Sequence, residues 1–308
     1  MSSLSDDLIE PQNDRSFIRH AISDRVRSYP AMLGEEERVL PAFLAAQVAD
    51  APGACVELGC YLGGSTTAIL EGLSTRADRP RGERPLVHAY DMFVANEFMA
   101  THSLHNFDVS AGQSFRPIYE RLLGDSLSDV EIHEGNILNE EWPERLIKLL
   151  YVDILWSWEI NQHVFDQFYR RLDCGSWLIH QDYVYSFYPW LPISMEWLVE
   201  QGYFEFRHYA QYSTVAFECL RSPDSVARSF SFESDLDFSE KRRLIKKATD
   251  RFCGYPKGLL QLSDCVLLLS SDGNKDRGKA CVSDTERSFS HPWVIEHAQM
   301  VRRNHGIE

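Results

Sequence analysis

The segment Val56-Glu57-Leu58-Gly59-Cys60-Tyr61-Leu62-Gly63-Gly64-Ser65-Thr66 concentrates the chemistry of this chain. It reads as a buried strand, a glycine-containing turn and the hydroxyl-rich start of a helix. Glycines let a backbone approach a ligand closely, and the first turn of a helix offers unpaired N–H groups. Gly59, Tyr61, Gly63 and Ser65 are therefore candidate ligand contacts, with Glu57 beside them. Tyr61 stands at the second glycine position of a nicotinamide-type GxGxxG, so that fingerprint is absent. Taken alone, such a turn is more simply a tight strand–helix connection. The apolar runs downstream end in polar groups, and this changes the balance. The run at 86–90 leads into Asp91, which can accept ribose hydroxyls or cap a turn. The run at 130–133 leads into Gly135-Asn136, able to meet an adenine edge or to close a turn. The run at 149–154 holds Asp153, and 176–180 delivers His180-Gln181-Asp182-Tyr183. In open α/β sheets, ligands bind at the carboxyl ends of the strands.

Histidine titrates near neutrality and is the usual proton acceptor. His180, at the end of the fifth run, is either such a base or a buried core residue. His102 and His105 lie in the long segment 94–112, which reads as a substrate lid or as a plain surface loop. Aromatic residues follow the fourth and fifth runs: Trp156 and Trp158, then Tyr183, Tyr185, Phe187, Tyr188 and Trp190. Their rings fill cores or wall a pocket. The cluster after two site-forming strands favours a wall, with Trp156 and Tyr183 as substrate contacts.

The elements that must position these groups follow from periodicity. Helical spacing covers 15–28 and 35–49, the latter with Pro41 inside it as a kink or true start. From 53 onward short apolar runs alternate with helix candidates near 65–74, 114–123, 143–148 and 160–171. This is the pattern of parallel strands with crossover helices. A helix at 192–201 precedes two alternating strands, 203–209 and 214–220, a hairpin that adds an antiparallel strand. Residues 75–85 read as a loop insertion and 221–238 as a linker. Helices are expected at 240–252, capped by Ser239, at 256–270, and from 290 to about 303. The expected organisation is a tail and helix at 1–34, a ligand-binding domain at 35–220 and a helical C-terminal extension at 221–308.

Composition narrows the function class. The chain has 308 residues and a net charge of −15, which disfavours binding to nucleic-acid phosphates. No apolar run approaches the roughly 20 residues of a membrane span. The polar, acidic start is unlike a signal peptide. Seven cysteines at irregular spacing, without CxxC, predict reduced thiols in a cytoplasmic protein. The basic run 241–247 is flanked by acids and reads as a solvated helix face rather than a phosphate or membrane patch.

Taken together, VELGCYLGGST, HAYDMF, EIHEGNI, LLYVDILWSWE and GSWLIHQDYV resemble class I S-adenosylmethionine-dependent methyltransferases. Over about residues 15–220 the chain is most similar to the macrocin O-methyltransferase branch of sugar- and antibiotic-tailoring enzymes. The resemblance implies a Rossmann-like, doubly wound, mostly parallel α/β sheet of seven strands with one antiparallel strand. It implies S-adenosylmethionine as cofactor, with Glu57, Gly59 and Gly63 around its methionine moiety, Asp91 on the ribose and Asn136 beside the adenine. Tyr29, Pro30 and Met32 match the segment that covers the cofactor. It also implies O-methylation of a small-molecule acceptor, a sugar or glycosylated natural product, with a homodimer or higher homo-oligomer open. Asp153 and Asp182 match two of three aspartates that hold magnesium in that branch. Gln181 replaces the third, so Mg²⁺ stays open as a second cofactor, and without it the two aspartates orient cofactor and acceptor. His180 would take the acceptor proton. Two other readings stand beside this one: a catalytically degenerate S-adenosylmethionine-binding protein or scaffold, and a methyltransferase acting on a phenolic hydroxyl or an amine.

Overall fold

The computed structural model describes residues 14–75, 86–143, 145–271 and 273–307, and of His105 only the backbone. The expected insertion at 75–85 lies almost wholly outside these residues, as does the tail before Asp14. Seven strands form one sheet in the order β3-β2-β1-β4-β5-β7-β6. They are β1 (Ala54–Leu58), β2 (Val87–Asp91), β3 (Val130–Glu134), β4 (Ile147–Val152), β5 (Leu172–His180), β6 (Phe204–Tyr209) and β7 (Val215–Cys219). The first five pair in parallel, and β7 lies antiparallel between β5 and β6. This is the doubly wound sheet expected from the sequence, with the chain reversing direction on either side of β1 and β4. That switch point opens a crevice at the carboxyl end of the sheet.

Helices cover both faces. The expected helix at 15–28 is broken: a 3-10 turn, Ser16–Arg19, precedes α1 (Asp24–Ser28), which Ser23 caps. The next helix, α2 (Glu35–Gln47), runs through Pro41 without ending. It packs on α3 (Gly64–Leu73), and the side chains of Leu40, Leu44, Ala68 and Ile69 meet β1 and β4 in one buried cluster. Then come α4 (Arg116–Leu123), α5 (Trp158–Gln167) and α6 (Trp190–Glu200). Among the described residues of 143–148 there is no helix, and Ile147 already begins β4 and is wholly buried there. The apolar period of that short stretch is ambiguous between helix and strand, and pairing with β1 and β5 decides it.

The C-terminal region carries α7 (Phe238–Thr249), α8 (Gly254–Leu269), α9 (Lys275–Ser288) and α10 (Pro292–His305). Asp237 caps α7, and Ser239 donates to that same carboxylate at 2.8 Å instead of capping. The stretch 221–238 is no free linker, since Phe232 and Leu236 are buried in the main core. Leu244, Leu260, Cys265 and Val294 share that core with Leu150 and Phe217 of the sheet. The last helices are therefore part of the same packed body. Cys265 and Cys281 form a disulfide between α8 and α9, against the expectation that all thiols are reduced; Cys55, Cys60, Cys174 and Cys219 are free thiols. The basic stretch of α7 is an ion-paired face, with Arg243 and Lys247 on Glu200 and Arg242 on Asp264.

Candidate functional site

The turn after β1 is built for close approach. Gly59 has φ +88°, and a side chain there would meet the Asp153 carbonyl oxygen at 2.7 Å. Only glycine lets the turn lie directly against the end of β4. Gly63, at φ +95°, N-caps α3 and faces the rings of Tyr29 and Tyr119. Glu57 is fully buried beneath the turn. Its carboxylate accepts from the hydroxyls of Ser65 and Thr66, the latter at 2.6 Å, and burial pushes it up to about 7. Glu57 thus ties β1 to the start of α3 and supports the turn from below.

A cleft of about 700 Å³ opens above this turn. Gly59, Tyr61 and Ser65 line one part of it, and Asp153 and Asp182 line it at the ends of β4 and β5. Tyr61 and Asp182 both adopt left-handed backbone, at φ 47° and 60°. Such conformations cost energy in non-glycine residues and gather at functional positions. Ala31, Met32 and Leu33 line the cleft from the segment before α2. Arg38 holds that segment in place by donating to the carbonyls of Tyr29 at 2.7 Å, Val26 at 3.0 Å and Leu33 at 3.1 Å. Tyr29 is buried against the glycine turn, and Pro30 stays exposed.

The floor is acidic. Burial, with Asp182 next, holds the Asp153 carboxyl well above its ordinary range. Burial and Glu37 push Asp182 up to about 6, while Ser213 donates to it at 3.4 Å. Glu37 of α2 is a site residue that sequence reading missed. It is 1% exposed, lines the cleft and accepts from Thr214 at 2.8 Å and Gly34 N–H at 2.9 Å. Its only sequence signal is a run of acids, which by itself reads as the first turn of a helix.

Other expected residues lie elsewhere. Asp91 receives N–H bonds from Phe93 at 2.8 Å and Tyr61 at 2.9 Å. It locks the loops after β1 and β2 together and does not line the cleft. Asn136 is exposed and caps the turn at Ile137–Asn139. His180 is wholly buried, bonded to the Tyr169 hydroxyl at 2.8 Å and driven down to about 3 by burial. It faces Phe217 and Tyr169 in the core and is absent from the cleft wall, so the expected base is corrected to a core histidine. Tyr183 is also buried, with its hydroxyl toward Glu196, and Trp156 stands 56% exposed away from the cleft. Neither is the substrate wall that sequence reading expected. In the segment after Asp91, His102 is exposed and stacks on Phe98 at 4.5 Å, and Phe98 is the residue that reaches the cleft. The side chain of His105 lies outside the described residues.

The aromatic wall exists but is made differently. Tyr185 and Tyr212 contribute, and α10 adds Trp293, Glu296, His297 and Met300. Nothing in the sequence around 293–300 marks it, because only tertiary packing brings α10 to the strand ends.

A magnesium ion does not fit these residues as a three-ligand site. The Gln181 amide oxygen accepts from Thr214 and, at 3.3 Å, from Tyr151, while its nitrogen donates to Glu37 at 3.3 Å. Both ends of the amide are thus engaged away from an ion. Among the described residues, metal-ligand spacing occurs only at His88, Glu131 and His133, on the sheet edge. There the Arg145 guanidinium donates to His88 Nε2, which leaves the proton on Nδ1, aimed at His133 Nε2 at 3.1 Å. A metal would need that nitrogen bare, so the cluster is a hydrogen-bonded stack. No described helix is long and apolar enough to cross a membrane.

Fold and site together define a doubly wound α/β protein with an acidic ligand cleft at the strand ends. No family model and no curated protein matches the chain. Among solved structures it is similar to the O-methyltransferase NovP, with 18% identity over 62% of this chain and 83% of that one at a TM-score of 0.47. The calicheamicin methyltransferase CalS11 shares 17% identity over 66% and 88%, at 0.44. An O-methyltransferase from Bacillus cereus in complex with SAH shares 14% over 65% and 92%, at 0.42.

Proposed function

We propose that the cleft binds S-adenosylmethionine and that the protein transfers its methyl group to a hydroxyl of a small molecule, a sugar or glycosylated natural product. The observation that carries this reading is the meeting of a glycine turn with the paired carboxylates Asp153 and Asp182 in one cleft. The donor is a sulfonium with an ammonium group, so an acidic cleft suits it. Its turn-facing half would lie against Gly59, Tyr61 and the first N–H groups of α3. When bound, it supplies a methyl group and leaves as a neutral thioether.

The chain must position the acceptor oxygen in line and take its proton. As the new O–C bond forms and the S–C bond breaks, the hydroxyl proton passes to a carboxylate. Asp182 suits this role, because burial and Glu37 raise its affinity for a proton and Ser213 fixes one oxygen. Asp153 beside it orients the hydroxyl. No step runs through a metal. Asp91 supports the donor pocket by fixing Tyr61.

Incubation with methyl-labelled S-adenosylmethionine and a panel of glycosides, phenols and amines tests the reading. Label on a sugar oxygen, abolished by Asp182→Asn, is the expected result. Label on a phenol or an amine would replace the sugar part of the reading. Donor binding without transfer to any acceptor would leave a binding protein.

A further inference from the structure

The cleft has two unlike parts. The turn after β1 presents backbone and small residues, whereas α10 presents Trp293, Glu296 and His297, faced by Tyr185 from the loop after β5. The carboxylates Glu37, Asp153, Asp182 and Glu296 line the whole, and among the described residues no lysine or arginine does. On the methyltransferase reading the sulfonium lies by the strand-end carboxylates, which leaves Glu296 on α10 with no cation facing it among the described residues of the cleft.

His297 gives the wall a second, independent feature. Its ring is 6% exposed, and Nδ1 meets the Ser186 hydroxyl at 2.7 Å. Nε2 has no hydrogen-bond partner among the described residues, in a side chain that lines the cleft. The buried Ser186 hydroxyl has no other acceptor among the described residues, so it donates to Nδ1, and Nε2 carries the proton and offers an N–H that no protein acceptor meets. Burial drives the ring down to about 4 and keeps it uncharged. Trp293 stands within 6.2 Å of it, and the Tyr185 ring meets it edge-on at 4.8 Å. Aromatic faces and a carboxylate recognise an ammonium carried on a ring, and an imidazole N–H meets the oxygens of that ring.

We propose that α10 forms the acceptor subsite and that the acceptor is a hydroxyl-bearing ring that also carries a protonated amine. This rests on the methyltransferase reading of the cleft. Trp293 and Tyr185 cover the ring's C–H face, Glu296 takes the ammonium, His297 Nε2–H donates to a ring oxygen, and a neighbouring hydroxyl is left toward Asp182. Phosphorylated acceptors are repelled, because nothing cationic meets their charge.

The test titrates the intact protein, with S-adenosylhomocysteine present, with three probes: the methyl glycoside of glucosamine, methyl glucoside and glucose 6-phosphate. Calorimetry and tryptophan fluorescence are the readouts. The amine-bearing sugar should bind about tenfold tighter than the neutral one, and the phosphate weakest. Glu296→Gln, a change at an exposed position, should erase most of that advantage and leave the neutral sugar within about twofold. Trp293→Ala should weaken both sugars. Equal or tighter binding of the phosphate, or no binding of either sugar at millimolar concentration, would overturn the proposal. So would an amine preference that survives Glu296→Gln. Weaker S-adenosylmethionine binding in both variants without a change for the sugars would assign α10 to the donor instead. Wild-type protein that is folded yet binds no S-adenosylhomocysteine would sink the methyltransferase reading itself, an outcome distinct from all of these.

Discussion

The Ser186 hydroxyl and Nδ1 of His297 lie 2.7 Å apart across 111 residues of chain. Both are buried, so the contact fixes α10 to the loop after β5 and sets the angle of the wall it presents. Ser186→Ala removes this bond and leaves Nδ1 of a buried imidazole without its donor, at a cost of about 1–3 kcal/mol in urea unfolding. S-adenosylhomocysteine affinity should stay unchanged, since neither residue touches the turn after β1. An unchanged stability would mean that the bond does not hold α10.

Glu57 predicts a pH dependence. Burial raises its carboxyl from the ordinary 4.5 to about 7 in the folded chain, so the folded state binds a proton more tightly than the unfolded state. The stability this supplies is fully present below 4.5 and is lost as pH rises through about 7. Glu57→Gln should flatten the pH profile of the melting temperature in that window, removing a slope worth roughly 3 kcal/mol. A variant with the wild-type profile would contradict the burial of a charge there.

His180 separates core from site. His180→Gln should lower stability by about 1–3 kcal/mol, through the bond to the Tyr169 hydroxyl. It should leave methyl transfer and donor affinity as in the wild type. Loss of turnover with intact folding would restore His180 as the proton acceptor.

Gln181 predicts indifference to magnesium. With the amide oxygen on Thr214 and Tyr151 and the nitrogen on Glu37, millimolar Mg²⁺ or a chelator should leave donor affinity and transfer unchanged. A strict magnesium requirement would show that Asp153 and Asp182 hold the ion with waters and without Gln181.

Much of the scaffold was legible in the sequence because it is local. The strand runs, the glycine turn and the positions of Asp153 and Asp182 follow from short-range pattern and from the rule that strand ends make the site. What failed is set by side-chain direction and by distant packing. His180 ends a strand, and the alternation of β5 turns its ring onto the face that holds Tyr169 and Phe217, packed there by tertiary contacts. Trp156 follows β4 but swings outward. Glu37 and His297 enter the cleft from helices that sequence pattern placed outside the site, and no spacing links either residue to residue 182.

The most direct test of the account is a calorimetric titration of the purified protein with S-adenosylhomocysteine. The account predicts one site with micromolar affinity, about −8 kcal/mol. A folded wild-type protein that releases no heat and shows no binding would contradict it.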